Sequence, residues 1–337
     1  MGVSPGQISQ YPMGFINGVT IRGTPILQTQ TGNTFWVSNV AADATKLRGQ
    51  SQGSNNNRGD FNHPFATLAY ALTQTQPKDN TPGLGDVIYI KPGHIETLGG
   101  VGVITQSNSG VSVIGLGNYN TRPKFIMGTA ATTTYLVSGA NSYISNLWMV
   151  GNFANVTSCF NVTATGCTID NIRFTNNAAS VDFLNPVNCL GAANTADGLT
   201  VSNCNWSTIE TGDFGLVNIA AALNDLTVWN NHVVNAGANS TSGSCSNLIN
   251  CVTGAVLLNA NIGWNRVWNA MTAGEVMFSN DQSTNTGIAH NNYVQCQDTT
   301  TTIDMGFDVT GLGNFENYCV TTNALSGFLN PAADVNL

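Results

Sequence analysis

Ile144-Ser145-Asn146-Leu147-Trp148-Met149 returns as Ile169-Asp170-Asn171-Ile172-Arg173-Phe174. It returns again as Val201-Ser202-Asn203-Cys204-Asn205-Trp206 and Val228-Trp229-Asn230-Asn231-His232-Val233. Looser copies follow at Ile262-Gly263-Trp264-Asn265-Arg266-Val267, Ile288-Ala289-His290-Asn291-Asn292-Tyr293 and Leu312-Gly313-Asn314. The first residues of successive copies lie 25, 32, 27, 34, 26 and 24 positions apart. A repeat of this length marks a solenoid, in which each unit stacks only on its neighbours. A β-sandwich has a shorter strand rhythm, about 8–12 residues.

Each repeat has the same plan. An apolar strand such as Tyr135-Leu136-Val137 or Phe160-Asn161-Val162 leads into a small-residue bend, Ala140-Asn141 or Ala164-Thr165-Gly166, and the Asn phrase follows. Gly, Ala, Asn and Thr suit sharp corners, which need left-handed backbone. Apolar residues alternate with polar ones within the phrase, so the two sets face the core and the solvent. The pattern predicts an all-β chain wound as a parallel β-helix. Seven or eight coils stacked ~4.8 Å apart would make a rod roughly 35 Å long. Asn146, Asn171, Asn203 and Asn230 then fall one above another, where their amides can bond from coil to coil as a structural ladder.

The flanking sequence differs. Residues 1–57 read as an extended N-terminal arm, with short alternating runs broken by Gly and Pro and one strand at Thr34-Phe35-Trp36-Val37. Residues 58–110 read as a cap: Asn62-His63-Pro64 opens a short helix with Phe65, Leu68, Ala69 and Leu72 on one face, and Gln76-Pro77 ends it. A strand follows at Asp86–Ile90. The β-helix is assigned to 111–320 and a C-terminal tail to 321–337.

Composition narrows the function. Charged residues make up 8% of the 337, against about 25% in an average soluble domain. The surface is therefore covered by Asn, Thr, Ser, Gln and Gly, which suits stacked strands and packing against other chains. The net charge is −8 and the ten Lys and Arg form no basic stripe in the sequence, which argues against nucleic acid as a partner. No apolar run approaches the ~20 residues of a membrane span, and the first residues do not read as a secretion signal. None of the eight Cys forms a CxxC or stands beside His at zinc-ligand spacing. They read as small buried apolar residues of a chain assembled in a cytoplasm, with Cys245 and Cys251 the pair nearest to each other for a disulfide. No cofactor or metal site is expected.

Candidate chemistry is sparse. A glycosidase needs two carboxylates about 5–10 Å apart. Glu210 with Asp213, and Asp304 with Asp308, are the pairs whose spacing could provide this; Asp281 stands alone. Eighteen acids bring some together by chance, so these read as solvated loop acids and no catalytic set is assigned. His63 belongs to the cap, and His232 and His290 to the repeats. Gly115-Leu116-Gly117 lacks the third Gly of a nucleotide loop, since position 120 is Asn. Arg58-Gly59-Asp60 matches an adhesion tripeptide but also starts the cap. Trp148, Trp229, Trp264 and Trp268 are candidate interface aromatics, because some Trp in a rod this polar must point outward.

Two stretches resemble a known group. Gly59-Asp60-Phe61-Asn62-His63-Pro64-Phe65-Ala66-Thr67, with Gly85-Asp86-Val87-Ile88-Tyr89-Ile90-Lys91-Pro92-Gly93, is similar to the N-terminal cap of right-handed β-helix proteins of the pectate-lyase-like superfamily. Val111-Ser112-Val113-Ile114-Gly115-Leu116-Gly117-Asn118, followed by Thr121-Arg122-Pro123, resembles the continuation in phage-encoded members. The resemblance covers about residues 59–320. It implies a right-handed parallel β-helix and a bacteriophage virion protein. The lyase branch carries acidic calcium ligands with Arg or Lys as base, and the hydrolase branch paired Asp, Gly-His-Gly and Arg-Ile-Lys. None of those strings occurs here. The expectation is therefore a non-enzymatic capsid decoration or cement protein. It would be a homotrimer on the outer surface of the virion, bound to the major capsid protein. A receptor-binding tailspike or polysaccharide depolymerase, with a glycan partner, is the alternative.

Overall fold

The structure is a computed structural model that describes residues 19–21, 24–26, 32–40, 52–75, 85–99, 104–177, 181, 183–208, 214–236, 246–252, 254–269, 278–279, 284–296, 311–321 and 327–329. The chain is an all-β solenoid of about seven turns, consistent with a right-handed parallel β-helix. Three sheets run along the rod. The first face has ten strands, from Thr34–Val37 through Tyr143–Ser145 and Thr227–Trp229 to Gly313–Phe315. The second runs from Ile95–Leu98 to Asn317–Thr321 and ends on Gly327–Leu329, which pairs antiparallel to its neighbour. The third has seven strands, from Ile104–Gln106 to Phe278–Ser279. All other pairings in these faces are parallel.

Register turns the sequence repeat into columns. On the first face Val113, Ile144, Ile169, Val201, Val228, Ile262 and Ala289 stack in register, all buried. Phe125, Met149, Phe174, Trp206, Val233, Val267 and Val294 do the same on the second. Trp206 thus fills the core, whereas Trp148, one place earlier in its phrase, faces outward. In the last two coils the register departs from the sequence alignment. Ala289, not Ile288, continues the core column, and Asn314 pairs with Ala289. Ile288 is exposed: the backbone corner, not apolarity, sets the register there.

The cap corrects a helix boundary. The helix is Leu68–Gln74, later than Asn62-His63-Pro64 would start it. Phe65 is instead extended: its N–H donates to Trp36 O at 2.8 Å, and its carbonyl accepts from Ser38 N at 2.9 Å. Thr67 is the N-cap, its side chain accepting from Tyr70 N at 3.3 Å. Glu96, reaching in from the second face, accepts from Leu68 N at 3.1 Å and pairs with His94 Nε2 at 3.2 Å. Leu68, Ala71 and Leu72 are the buried residues of the helix, and Ala69 is only partly covered. The Arg58-Gly59-Asp60 tripeptide is tied into this cap: Asp60 accepts from His63 N at 2.8 Å and pairs with Arg58 at 3.0 Å.

Candidate functional site

A single left-handed residue turns the chain from the first face to the second in successive coils. Its φ is +61° at Asn146, +52° at Asn171, +55° at Asn203, +53° at Asn230, +61° at Trp264, +53° at Asn291 and +54° at Glu316. Asn tolerates this conformation better than other non-glycine residues. Asn171 Nδ2 donates to Asn146 Oδ1 at 3.2 Å, and Asn230 Nδ2 to Asn203 Oδ1 at 2.7 Å. The ladder breaks between these pairs. Asn203 Nδ2 turns to Asp170 Oδ1 at 2.7 Å, while Arg122 donates to the carbonyl and Oδ1 of Asn171, each at 3.1 Å.

A second amide ladder, absent from the sequence reading, runs inside the corner. Asn231, Asn265, Asn292 and Asn317 occupy the next position in the last four coils and are buried. Each Nδ2 but the last donates to the Oδ1 one coil on, at 2.9–3.0 Å, and also to a carbonyl one coil back. Each Oδ1 also accepts the backbone N–H of the residue above, beginning with Cys204 N to Asn231 Oδ1. Leu147, Ile172 and Cys204 hold this position in the earlier coils. The doublets Asn230-Asn231 and Asn291-Asn292 were the available signal.

Outside the corner, the N-terminal coils gather cations. Lys124, Trp148, Arg173, Asn205, His232 and Arg266 form one outward column of the second face. Lys124 Nζ lies 3.9 Å from the Trp148 ring centre and Arg173 Cζ lies 4.5 Å from it, so the indole sits between two cations. Trp148 Nε1 donates to Thr175 Oγ1 at 2.8 Å, which fixes the ring. Burial, then the charge of Arg173, holds Arg122 below its ordinary range, and burial, then Arg266, lowers His232. Above this column the corner widens into the loop of residues 116–123. There Tyr119 stands 83% exposed with φ +46°.

The C-terminal coils gather aromatic rings. Trp229, Gly263, His290 and Phe315 are consecutive in the outward column of the first face. Gly263 leaves the floor open. A Cβ there would lie 2.7 Å from Trp229 and 2.9 Å from His290. The two rings close over the gap edge to face at 5.5 Å, and His290 stacks on Phe315 at 5.2 Å. Trp264 takes the corner position beside them, 53% exposed and 6.5 Å from Trp229. On the neighbouring face Tyr293 stacks on Tyr318 at 5.5 Å.

Proton-transfer groups within the described residues are engaged. Asp170 accepts from Asn203 Nδ2 and Ser202 Oγ at 2.7 and 2.8 Å, and from Ser145 and Tyr143 at 3.2 and 3.3 Å. His290 holds Asn291 and Asn261, and His232 contacts Asn205. Cys159, Cys167, Cys189 and Cys204 are buried thiols, with burial pushing the last two up to about 12. Glu210, Asp213, Asp281, Asp304, Asp308 and Cys245 lie outside the described residues. Of the candidate interface aromatics, Trp148, Trp229 and Trp268 are partly exposed and Trp264 is exposed.

No protein-family profile matches the chain, and no curated protein does. Among solved structures, a rhamnogalacturonan lyase superposes over 85% of this chain and 87% of its own, with a TM-score of 0.46 and 15% identity. That degree of likeness assigns no activity. The expectation of a non-enzymatic chain is withdrawn, the solved structure it resembles being named as a lyase.

Proposed function

We propose that the chain is a bacteriophage virion protein, a β-helix that packs as a homotrimer on the outer surface of the capsid against the major capsid protein. Trp264 carries this reading. A bulky aromatic in left-handed backbone costs of order 1–3 kcal/mol and is a known mark of functional positions. Here it replaces an Asn that the same corner uses in five other coils, and it is half exposed beside Trp229, His290 and Phe315. The rings line one edge of the rod, and burying them against another protein recovers about 25 cal/mol per Å². The neutral, amide-covered walls lower the desolvation cost of wide contacts. The resemblance of Val111–Asn118 and Thr121-Arg122-Pro123 to phage-encoded β-helix proteins supplies the virion context.

Quantitative mass spectrometry of purified particles tests the reading. Copy number in the hundreds supports capsid decoration. A few to a few dozen copies would move the protein to the tail. A receptor-binding tailspike or polysaccharide depolymerase would then take its place, a reading favoured by the exposed Tyr119 beside unneutralised cations.

A further inference from the structure

His290 is the polar member of the ring cluster at the C-terminal corner. Both of its ring nitrogens face amide oxygens: Nδ1 lies 2.8 Å from Asn291 Oδ1, and Nε2 lies 3.2 Å from Asn261 Oδ1. A neutral imidazole has one N–H to donate, and only the imidazolium donates from both nitrogens. One of the two amides is pinned. Asn291 Nδ2 donates to Glu316 Oε2 at 2.7 Å, and a carboxylate offers no proton in return, so Asn291 keeps its Oδ1 on His290. Nδ1 therefore carries a proton in either charge state. Asn261 is the adjustable partner: its Oδ1 accepts from a charged ring, and turned over it donates Nδ2–H to a neutral one. The corner thus accommodates His290 with or without its second proton, through the rotation of one amide.

The surroundings make that proton matter. Trp229 meets the imidazole edge to face at 5.5 Å and Phe315 stacks on it at 5.2 Å. Held between two rings and two amides, His290 cannot swing its charge out to solvent. In the free protomer the π faces, the Glu316 carboxylate and nearby water all favour the imidazolium. Burial against another protein removes the water and penalises the charged form. The strands packed on the ring, Thr227–Trp229, Ala260–Gly263 and Gly313–Phe315, carry no titratable group. Glu316 is the charge joined to it, through Asn291, and Arg266 and Tyr293 lie past the corner on the second face. The exposed apolar surface adjoins it: Trp264 is 53% exposed, Phe315 43% and Ile288 39%.

We infer that the charge of His290 gates the packing edge. The neutral ring lets a second copy of this chain bury Trp229, Trp264 and Phe315, and the protonated ring keeps the copies apart. The gate rests on the homotrimer reading above and adds its regulation. The sign follows from linkage: the separate protomers bind more protons than the assembly, so association weakens as pH falls. Imidazole changes charge at about pH 5–8, which sets the range to search. His232 titrates on the cationic column of the second face, beside Asn205 and under the charge of Arg266, and belongs to a different surface.

The test is sedimentation equilibrium of the full chain at about pH 8 and about pH 5.5, at fixed ionic strength. The wild type should associate at the higher pH and dissociate about tenfold or more readily at the lower, since a shift of one pH unit in a proton equilibrium is tenfold. His290→Gln keeps a hydrogen-bonding side chain without the charge and should associate alike at both. Glu316→Gln, on the exposed corner, serves where His290→Gln fails to fold. It frees Asn291 to turn, weakens the hold on the imidazolium and should move the midpoint to lower pH. Association of the wild type that ignores pH, or strengthens in acid, overturns the gate and leaves the homotrimer standing. So does a pH response that persists in His290→Gln or a midpoint unmoved in Glu316→Gln. Absence of association at both pH values removes the homotrimer, and the gate with it.

Discussion

Asn265 Nδ2 donates to Asn292 Oδ1 at 3.0 Å, one coil away, while Asn265 Oδ1 accepts both the backbone and side-chain N–H of Asn231. All of these atoms lie in a sealed interior. A buried amide that fills every donor and acceptor is stable, and removing one member orphans its neighbours. Asn265→Leu should therefore destabilise the chain by about 2–4 kcal/mol, although leucine fills the same position at Leu147. Replacing Asn231, Asn265, Asn292 and Asn317 together by apolar residues should cost less than the sum of the single changes. Urea denaturation of the single and quadruple variants checks the non-additivity.

Trp264→Asn tests strain against use. It restores the residue that the corner carries elsewhere and should raise unfolding stability by about 1 kcal/mol in the isolated protomer. It should also weaken self-association or particle binding, read by analytical ultracentrifugation and by co-sedimentation with particles. A variant that is more stable and still assembles fully would show that Trp264 is no contact residue.

Gly263→Ala places a methyl where Trp229 and His290 meet. Forcing these rings apart should cost about 1–3 kcal/mol and shift the tryptophan emission of the native protein. Gly263 is not left-handed, so the effect belongs to the missing space and not to the backbone.

Lys91 gives a pH signature. It is 4% exposed in the cap, its ammonium 3.9 Å from the Phe61 ring centre, and it donates to the Phe61 carbonyl. Burial, opposed in part by the charge of Asp60, lowers its pKa from 10.5 to about 8. The unfolded chain then binds more protons than the native one between about pH 8 and 10.5, so this group raises stability as pH rises through that window. Below pH 8 the gain is absent. The rise should be of order 3 kcal/mol at most, and it should vanish from the difference curve between wild type and Lys91→Met. Other groups that titrate there cancel in the difference.

The parallel coil was legible because a period of about 24–34 residues and a period of two coexist in the same phrase. The outer Asn positions were legible for the same reason: few residues other than Asn and Gly bear left-handed backbone. The inner ladder was not, since Asn265 and Asn231 read as polar residues on an outward track until the corner is seen to rotate the next residue inward. Trp264 was singled out as an aromatic, and the phrase alignment puts it third in its copy, where Asn146, Asn171, Asn203 and Asn230 stand; that this place demands left-handed backbone became visible only in the structure. The cation wall was hidden because Lys124, Arg173 and Arg266 are 49 and 93 residues apart, and only stacking brings them into one column. The late helix start had a local cause: a Pro-Phe pair suits a first turn, but Phe65 is claimed by strand pairing with Trp36 and Ser38.

Gly327–Leu329 runs against every other strand of the second face. A parallel stack offers each newcomer the same edge it offered the last, so an open coil is a template for endless end-to-end growth. A strand laid in the opposite sense breaks that template on the second face. On that face the edge a further coil would meet is therefore not the edge that each earlier coil met.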